Sequence, residues 1–114
     1  MKTFNELYDE NGQYITDKKY QEILRLDSML TEKKIPHILQ KFRDGWQVVY
    51  PEDGENRVAD AIEHFGSYGN ENDLLEVMGL LTPEEEEYDR VLGYLSAKDV
   101  FERIEKHWKE ANHD

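Results

Sequence analysis

Arg43-Asp44-Gly45 stands between two β-rich runs, 35–42 and 46–50, and is the strongest local constraint in this chain of 114 residues. An Asp-Gly step supplies the backbone angles of a tight turn, and the flanking apolar residues supply strands for it to join. The spacing predicts a hairpin over 37–50, with strands at 37–42 and 46–50. Strand side chains alternate, so Trp46, Val48 and Tyr50 share one face and leave Gln47 and Val49 on the other. A lone hairpin is marginal in water, so other elements must cover it.

Two helical patterns are available for that purpose. From Thr16 or Asp17, either of which can cap, to Lys34, the residues Tyr20, Ile23, Leu24, Leu26 and Leu30 recur near helical spacing, with Met29 less strictly placed. Pro36 stops this helix, because the residue before a proline avoids the helical region. Near the other end, Ser96-Ala97-Lys98-Asp99 opens a helix whose Val100, Phe101, Ile104 and Trp108 fall on one face. The stretch 57–65 reads two ways. Val58, Ala61, Ile62 and Phe65 have helical spacing, while its place after a hairpin argues for a third antiparallel strand, and the reading leans to the strand. Thr82, Pro83 and Glu85 form a capping-box helix start, and a short helix is expected over about 71–78. Residues 1–15 are read as a peripheral hairpin or turn around Asn11-Gly12, and 111–114 as a frayed tail. The expected fold is one α+β domain over 1–114. Its core should hold Leu24, Leu30, Trp46, Val48, Ile62, Leu75, Leu81, Leu95, Phe101 and Ile104.

Charge is the second constraint. The chain carries a formal −12, and residues 51–89 alone, with thirteen acidic residues against Arg57, account for all of it. The flanking segments 1–50 and 90–114 are each balanced. A directed acidic field attracts a basic partner and repels DNA, RNA and anionic membranes. The expected partner-binding residues are therefore Glu52, Asp53, Glu55, Glu71, Asp73, Glu76, Glu84, Glu85, Glu86, Glu87 and Asp89. Four consecutive glutamates exceed what capping a helix start needs, which points to an outside cation, most simply a partner's Lys or Arg. The bland reading is a solvated helix start that favours carboxylates. Crowded carboxylates repel one another, so on the docking reading their pKa values rise and the fold gains stability as pH falls from 7 toward about 5 and as salt is added.

Catalytic and cofactor signatures are missing from the sequence. There is no cysteine, which excludes disulfides, thiolate chemistry and Cys-based metal sites. His37, His64, His107 and His113 include no i, i+4 pair of the zincin kind, and no loop matches a calcium-binding or phosphate-binding pattern, so no metal or cofactor is expected. Gly66-Ser67-Tyr68-Gly69 does not match the nucleophile elbow, whose glycines lie two residues either side of the serine. A His64/Ser67/Tyr68 ligand or catalytic loop stands as the alternative function, and an Asp60/His64/Ser67 triad is conceivable on paper. Turn chemistry accounts for Ser67 and its glycines equally well. Trp46, Tyr50, Tyr68, Tyr88 and Tyr94 could stack bases, yet the basic groove such binding needs is missing. A third reading is an oligomerising protein, with Phe101, Trp108 or exposed tyrosines forming a two-fold contact. The first residues contain no apolar run of the secretory kind and no segment approaches a membrane span, so a cytoplasmic protein is expected.

Asp44-Gly45-Trp46-Gln47 with Tyr50-Pro51, Gly66-Ser67-Tyr68-Gly69, the run from Asp73 to Leu81, and Asp99-Val100-Phe101-Glu102-Arg103-Ile104 carry a resemblance. Over 22–108 the chain resembles small proteins encoded by phages, prophages and mobile elements of Gram-positive bacteria. The resemblance implies an accessory gene in a bacterial host cell, from a pool that includes anti-CRISPR proteins. Small acidic members of that pool act as DNA mimics, occupying the nucleic-acid-binding surface of their target. It implies no catalytic residue. The function expected from charge and resemblance together is a non-enzymatic inhibitor or binding module that docks 51–89 on a basic, nucleic-acid-binding protein surface.

Overall fold

The computed structural model describes residues 20–112. In chain order these are α1 (Gln21–Glu32), β1 (Ile38–Phe42), β2 (Gly45–Tyr50), β3 (Ala59–Glu63), a 3₁₀ turn (Asn70–Asn72), β4 (Leu75–Met78), α2 (Pro83–Glu86), β5 (Val91–Leu95) and α3 (Ala97–Ala111). The expected peripheral hairpin over 1–15 lies outside the described residues. The five strands form one antiparallel meander in the order β1-β2-β3-β4-β5. The α+β class holds, with a sheet larger than a hairpin and one added strand.

The predicted hairpin forms, pairing Phe42 with Gly45 and Ile38 with Val49. Its turn differs from the expected one. Arg43 takes the left-handed conformation at φ 55°, and Gly45 is already strand. Gly45 is needed for closeness instead, because a Cβ there would stand 1.9 Å from the Glu63 carbonyl oxygen of the neighbouring strand. The third strand leant toward at 57–65 is β3, paired with β2 from Trp46↔Glu63 to Tyr50↔Ala59.

The helix expected over 71–78 is corrected to a strand. Asp73 adopts φ 58°, which breaks any helix there, and Leu75 and Val77 point into the core while Met78 is exposed. That period of two fits β4 on β3, with Ala61 opposite Val77 and Ile62 opposite Glu76. The capping box at Thr82 and Glu85 is present but opens only one helical turn, after which the chain returns as β5.

Both α1 and α3 pack on the face that carries Val48, Tyr50, Ala61, Leu75 and Val77. They seal the core with Ile23, Leu26, Leu30, Val100, Phe101 and Ile104. Leu24, Trp46, Leu81 and Leu95 pack against this core partly buried. Ile62 is a second correction: its register opposite Gln47 and Glu76 turns it to the other face of the sheet. Phe101, read as a possible two-fold contact, is a core residue at 8% exposure, and Trp108 packs beside it partly buried.

Distant carboxylates satisfy the helix starts. The N-cap of α1, Tyr20, supplies no side-chain cap, and the amide of Ile23 donates to Glu63 Oε1 at 3.0 Å. The α3 start has its own capping box from Ser96 and Asp99, and the Ala97 amide donates to Glu22 Oε2 at 2.7 Å. The first amides of a helix have no partner within it, and a carboxylate also favours the positive end of the dipole.

Candidate functional site

In an antiparallel meander, alternate connections leave from the same end of the sheet. The β2–β3 connection (51–58) and the β4–β5 connection (79–90) therefore share one end. They touch there, since a Cβ on Gly79 would stand 2.4 Å from the Val58 carbonyl oxygen. The two connections at that end carry Glu52, Asp53, Glu55, Glu84, Glu85, Glu86, Glu87 and Asp89. Glu71, Asp73 and Glu76 belong to the β3–β4 connection and to β4, away from that end. The sequence-predicted surface is thus divided.

Several of these carboxylates have partners within the chain. Asp53 Oδ1 accepts from the Gly54 amide at 2.9 Å and from Arg57 Nη2 at 2.5 Å. The Arg57 hydrogen bond chiefly holds its carboxyl below the usual range. Glu52 accepts from Asn56 Nδ2 at 2.7 Å and Asp89 from the Arg90 amide at 2.6 Å. Glu71 accepts from the Tyr94 hydroxyl, and Glu76 Oε1 from the Tyr68 amide at 3.0 Å.

Glu85 is bound most firmly. Arg103 donates to both its oxygens, at 2.8 and 2.7 Å, and also to the Leu80 carbonyl at 2.9 Å. The guanidinium, helped by the Thr82 amide, pulls the Glu85 carboxyl down to about 2. The cation invoked for the glutamate run is therefore, at Glu85, internal. Glu55, Glu84, Glu86 and Glu87 are exposed, and their carboxylates have no hydrogen bond or ion pair among the described residues. Beside them Tyr88 stands 92% exposed. Sequence reasoning passed Tyr88 over as a base-stacking candidate, although its place between Glu87 and Asp89 was visible.

Next to this end lies an open groove of about 670 Å³ between α3 and the 80–82 segment, with Leu80, Leu81 and Leu95 as apolar walls and Lys106 and His107 at its rim. His107 is tied to the sheet, its Nδ1 lying 2.6 Å from the Tyr50 hydroxyl. Burial pushes that phenol above its ordinary value.

The glycine loop builds a second concavity of about 440 Å³ on the face of the sheet away from the helices. Ile62 and Val91 contribute its apolar surface, Phe42 and Tyr68 its aromatic surface, and Arg43, His64 and Glu76 its polar groups. His64 and Ser67, both buried, line it too. The serine is committed to the loop: its Oγ donates to the His64 carbonyl at 2.8 Å and accepts from the His64 amide at 3.1 Å. The imidazole Nδ1 lies 2.7 Å from the Phe65 carbonyl. Asp60 is engaged elsewhere, accepting from Gln47 Nε2 at 2.9 Å. The paper triad of Asp60, His64 and Ser67 is thus not assembled, although the loop does form a cup. Arg43, Phe42 and Glu76 were missed as its partners because strand pairing alone brings them to the loop.

Among the described residues, no three His, Asp or Glu side chains are grouped to hold a metal, and no helix is long and apolar enough to cross a membrane. Compared with known proteins, the chain matches no family model, no curated protein and no solved structure.

Proposed function

We propose that this protein is a non-enzymatic binding module that docks its acidic end on the basic surface of another protein, of the kind that handles nucleic acid. One observation carries the reading: two loops converge at one end with eight carboxylates, of which Glu55, Glu84, Glu86 and Glu87 have no partner among the described residues. Unpaired carboxylates keep their field for an external cation and steer encounter. Tyr88 supplies the rigid aromatic anchor on which interface energy concentrates. The 71–76 carboxylates lie outside this surface and contribute only to the long-range field.

The resemblance to mobile-element proteins makes a CRISPR effector nuclease the first probe. Binding to it is expected to weaken as sodium chloride rises and to be lost in the Glu84→Lys, Glu86→Lys, Glu87→Lys variant. Tyr88→Ala should cost about tenfold or more in affinity, as truncation of an interface aromatic does. Binding indifferent to both salt and charge reversal would end the docking reading.

A further inference from the structure

The cup beside the glycine loop is a second site, independent of the acidic end, and we propose that it binds a small zwitterion of the α-amino-acid type. Several hydrogen-bonding groups in its lining have capacity left for a ligand. His64 is 7% exposed, so its ring is held in the wall rather than in solvent. Its Nδ1 lies 2.7 Å from the Phe65 carbonyl, to which it donates, and its Nε2 has no hydrogen-bond partner among the described residues. The ring edge beside that nitrogen faces another lining residue, since a Cβ on Gly66 would be 3.9 Å from His64 Cε1.

Glu76 adds a second acceptor. One of its oxygens takes the Tyr68 amide, and the other has no partner among the described residues. Arg43 supplies the opposite chemistry. It is donor-only, sits over the Phe42 ring at 5.7 Å, and has no carboxylate in ion-pair range among the described residues.

A complementary ligand must therefore present an anion to Arg43, an N–H donor to Glu76, and an apolar body to Ile62, Phe42 and Tyr68, with His64 Nε2 open to a further polar contact. An ammonium and a carboxylate on one carbon, with an apolar side chain, meet all three conditions. A simple carboxylate would face Glu76 unpaired, a simple amine would face Arg43 unpaired, and a neutral nucleobase would leave both charges desolvated without a counter-charge. The cup's 440 Å³ accommodates one such molecule with an aromatic or branched side chain.

The test is a calorimetric and NMR titration of the full chain with L-phenylalanine and L-leucine, against 3-phenylpropionate, phenethylamine and adenosine. A saturable isotherm is expected for an amino acid, with shifts at 42–43, 62–68 and 76. Each singly charged analogue should bind about tenfold more weakly or worse, the usual cost of an unpaired charged group. Arg43→Gln and Glu76→Gln should each abolish binding. Ile62→Trp should fill the cup and block binding with every charge in place, which covers the case in which Glu76→Gln loosens the loop. The Glu84/Glu86/Glu87 reversal should leave the isotherm unchanged. No saturation by either amino acid up to its solubility limit would overturn the proposal. So would analogues or adenosine that bind as tightly as the zwitterion, or saturation unaffected by Ile62→Trp.

Discussion

Glu63 has no exposed surface, and its Oε1 receives the Ile23 amide across forty residues of sequence. Removing that acceptor leaves the start of α1 without its side-chain partner and opens space in the core. Glu63→Ala is expected to cost about 2–4 kcal/mol in urea unfolding, whereas Glu63→Gln, which keeps an acceptor oxygen, should lose less than half of that. Gly45 and Gly54 make a contrasting pair. A Cβ at Gly45 collides with the β3 backbone, while one at Gly54 meets nothing within 4 Å and faces only the strain of φ +99°. Gly45→Ala should therefore destabilise by about 2 kcal/mol or more and Gly54→Ala by about 1 kcal/mol, read from denaturation midpoints. Asp44 is a third residue whose role lies in tertiary contacts. Burial raises its carboxyl, but the Tyr20 hydroxyl at 2.5 Å and the Phe65 amide at 3.0 Å outweigh that and hold it below its ordinary value.

The pairing of α2 with α3 through Glu85 and Arg103 sets how these elements respond to acid. The folded carboxyl sits at about 2 against an ordinary 4.5, so the pair's stabilisation is complete above pH 4.5 and is lost as pH falls from there toward 2. Asp44 and Asp53 are also lowered and act in the same direction. Within 51–89, the expected rise of carboxylate pKa values is thereby reversed at Glu85 and Asp53. Glu85→Gln should lose about 1–2 kcal/mol at pH 7 and show a flatter acid limb in thermal melts between pH 5 and pH 3. Wild type and variant melting closer together as pH falls would verify the sign. The capping-box signal at 82–85 was legible because it depends on neighbours alone. The end of α2 one turn later was not, because the pairing of β5 with β4 decides where the chain leaves the helix.

Across the whole molecule, the meander puts β3 at the centre, β2 and β4 beside it and β1 and β5 at the edges, with α1 and α3 on one face. Amide hydrogen exchange should be slowest at Val48 and Ala61, which pair with each other under the helices, and fastest among the strands along β1 and β5. The same topology gathers the charge of 51–58 with that of 79–90. Replacing Glu84, Glu86 and Glu87 with Lys moves the formal charge from −12 to −6. Because these side chains are exposed and without partners among the described residues, the fold should change in stability by no more than about 1 kcal/mol, since relief of repulsion offsets lost helix-dipole contacts. A larger loss in a thermal melt would mean that these carboxylates support the fold rather than its surroundings.

Short-range periodicity and turn chemistry were enough for the 37–50 hairpin, the two long helical faces, the caps at Thr82 and Ser96, and the confinement of charge to 51–89. They misread 71–78, because an apolar run of that length fits a helix or a strand until a neighbour is known, and β3 supplied the neighbour. They put Ile62 in the core because alternation fixes which residues share a face but not which face the helices cover. Eleven carboxylates read as one surface because linear clustering says nothing about which end of a sheet a connection leaves from. Folding in three dimensions was needed for Arg103 to neutralise Glu85, for Glu63 and Glu22 to serve helix starts 40 and 75 residues away, and for Arg43, His64 and Glu76 to line one cup. Each of these is a long-range contact, set by strand register and helix packing, with no signature in the local sequence.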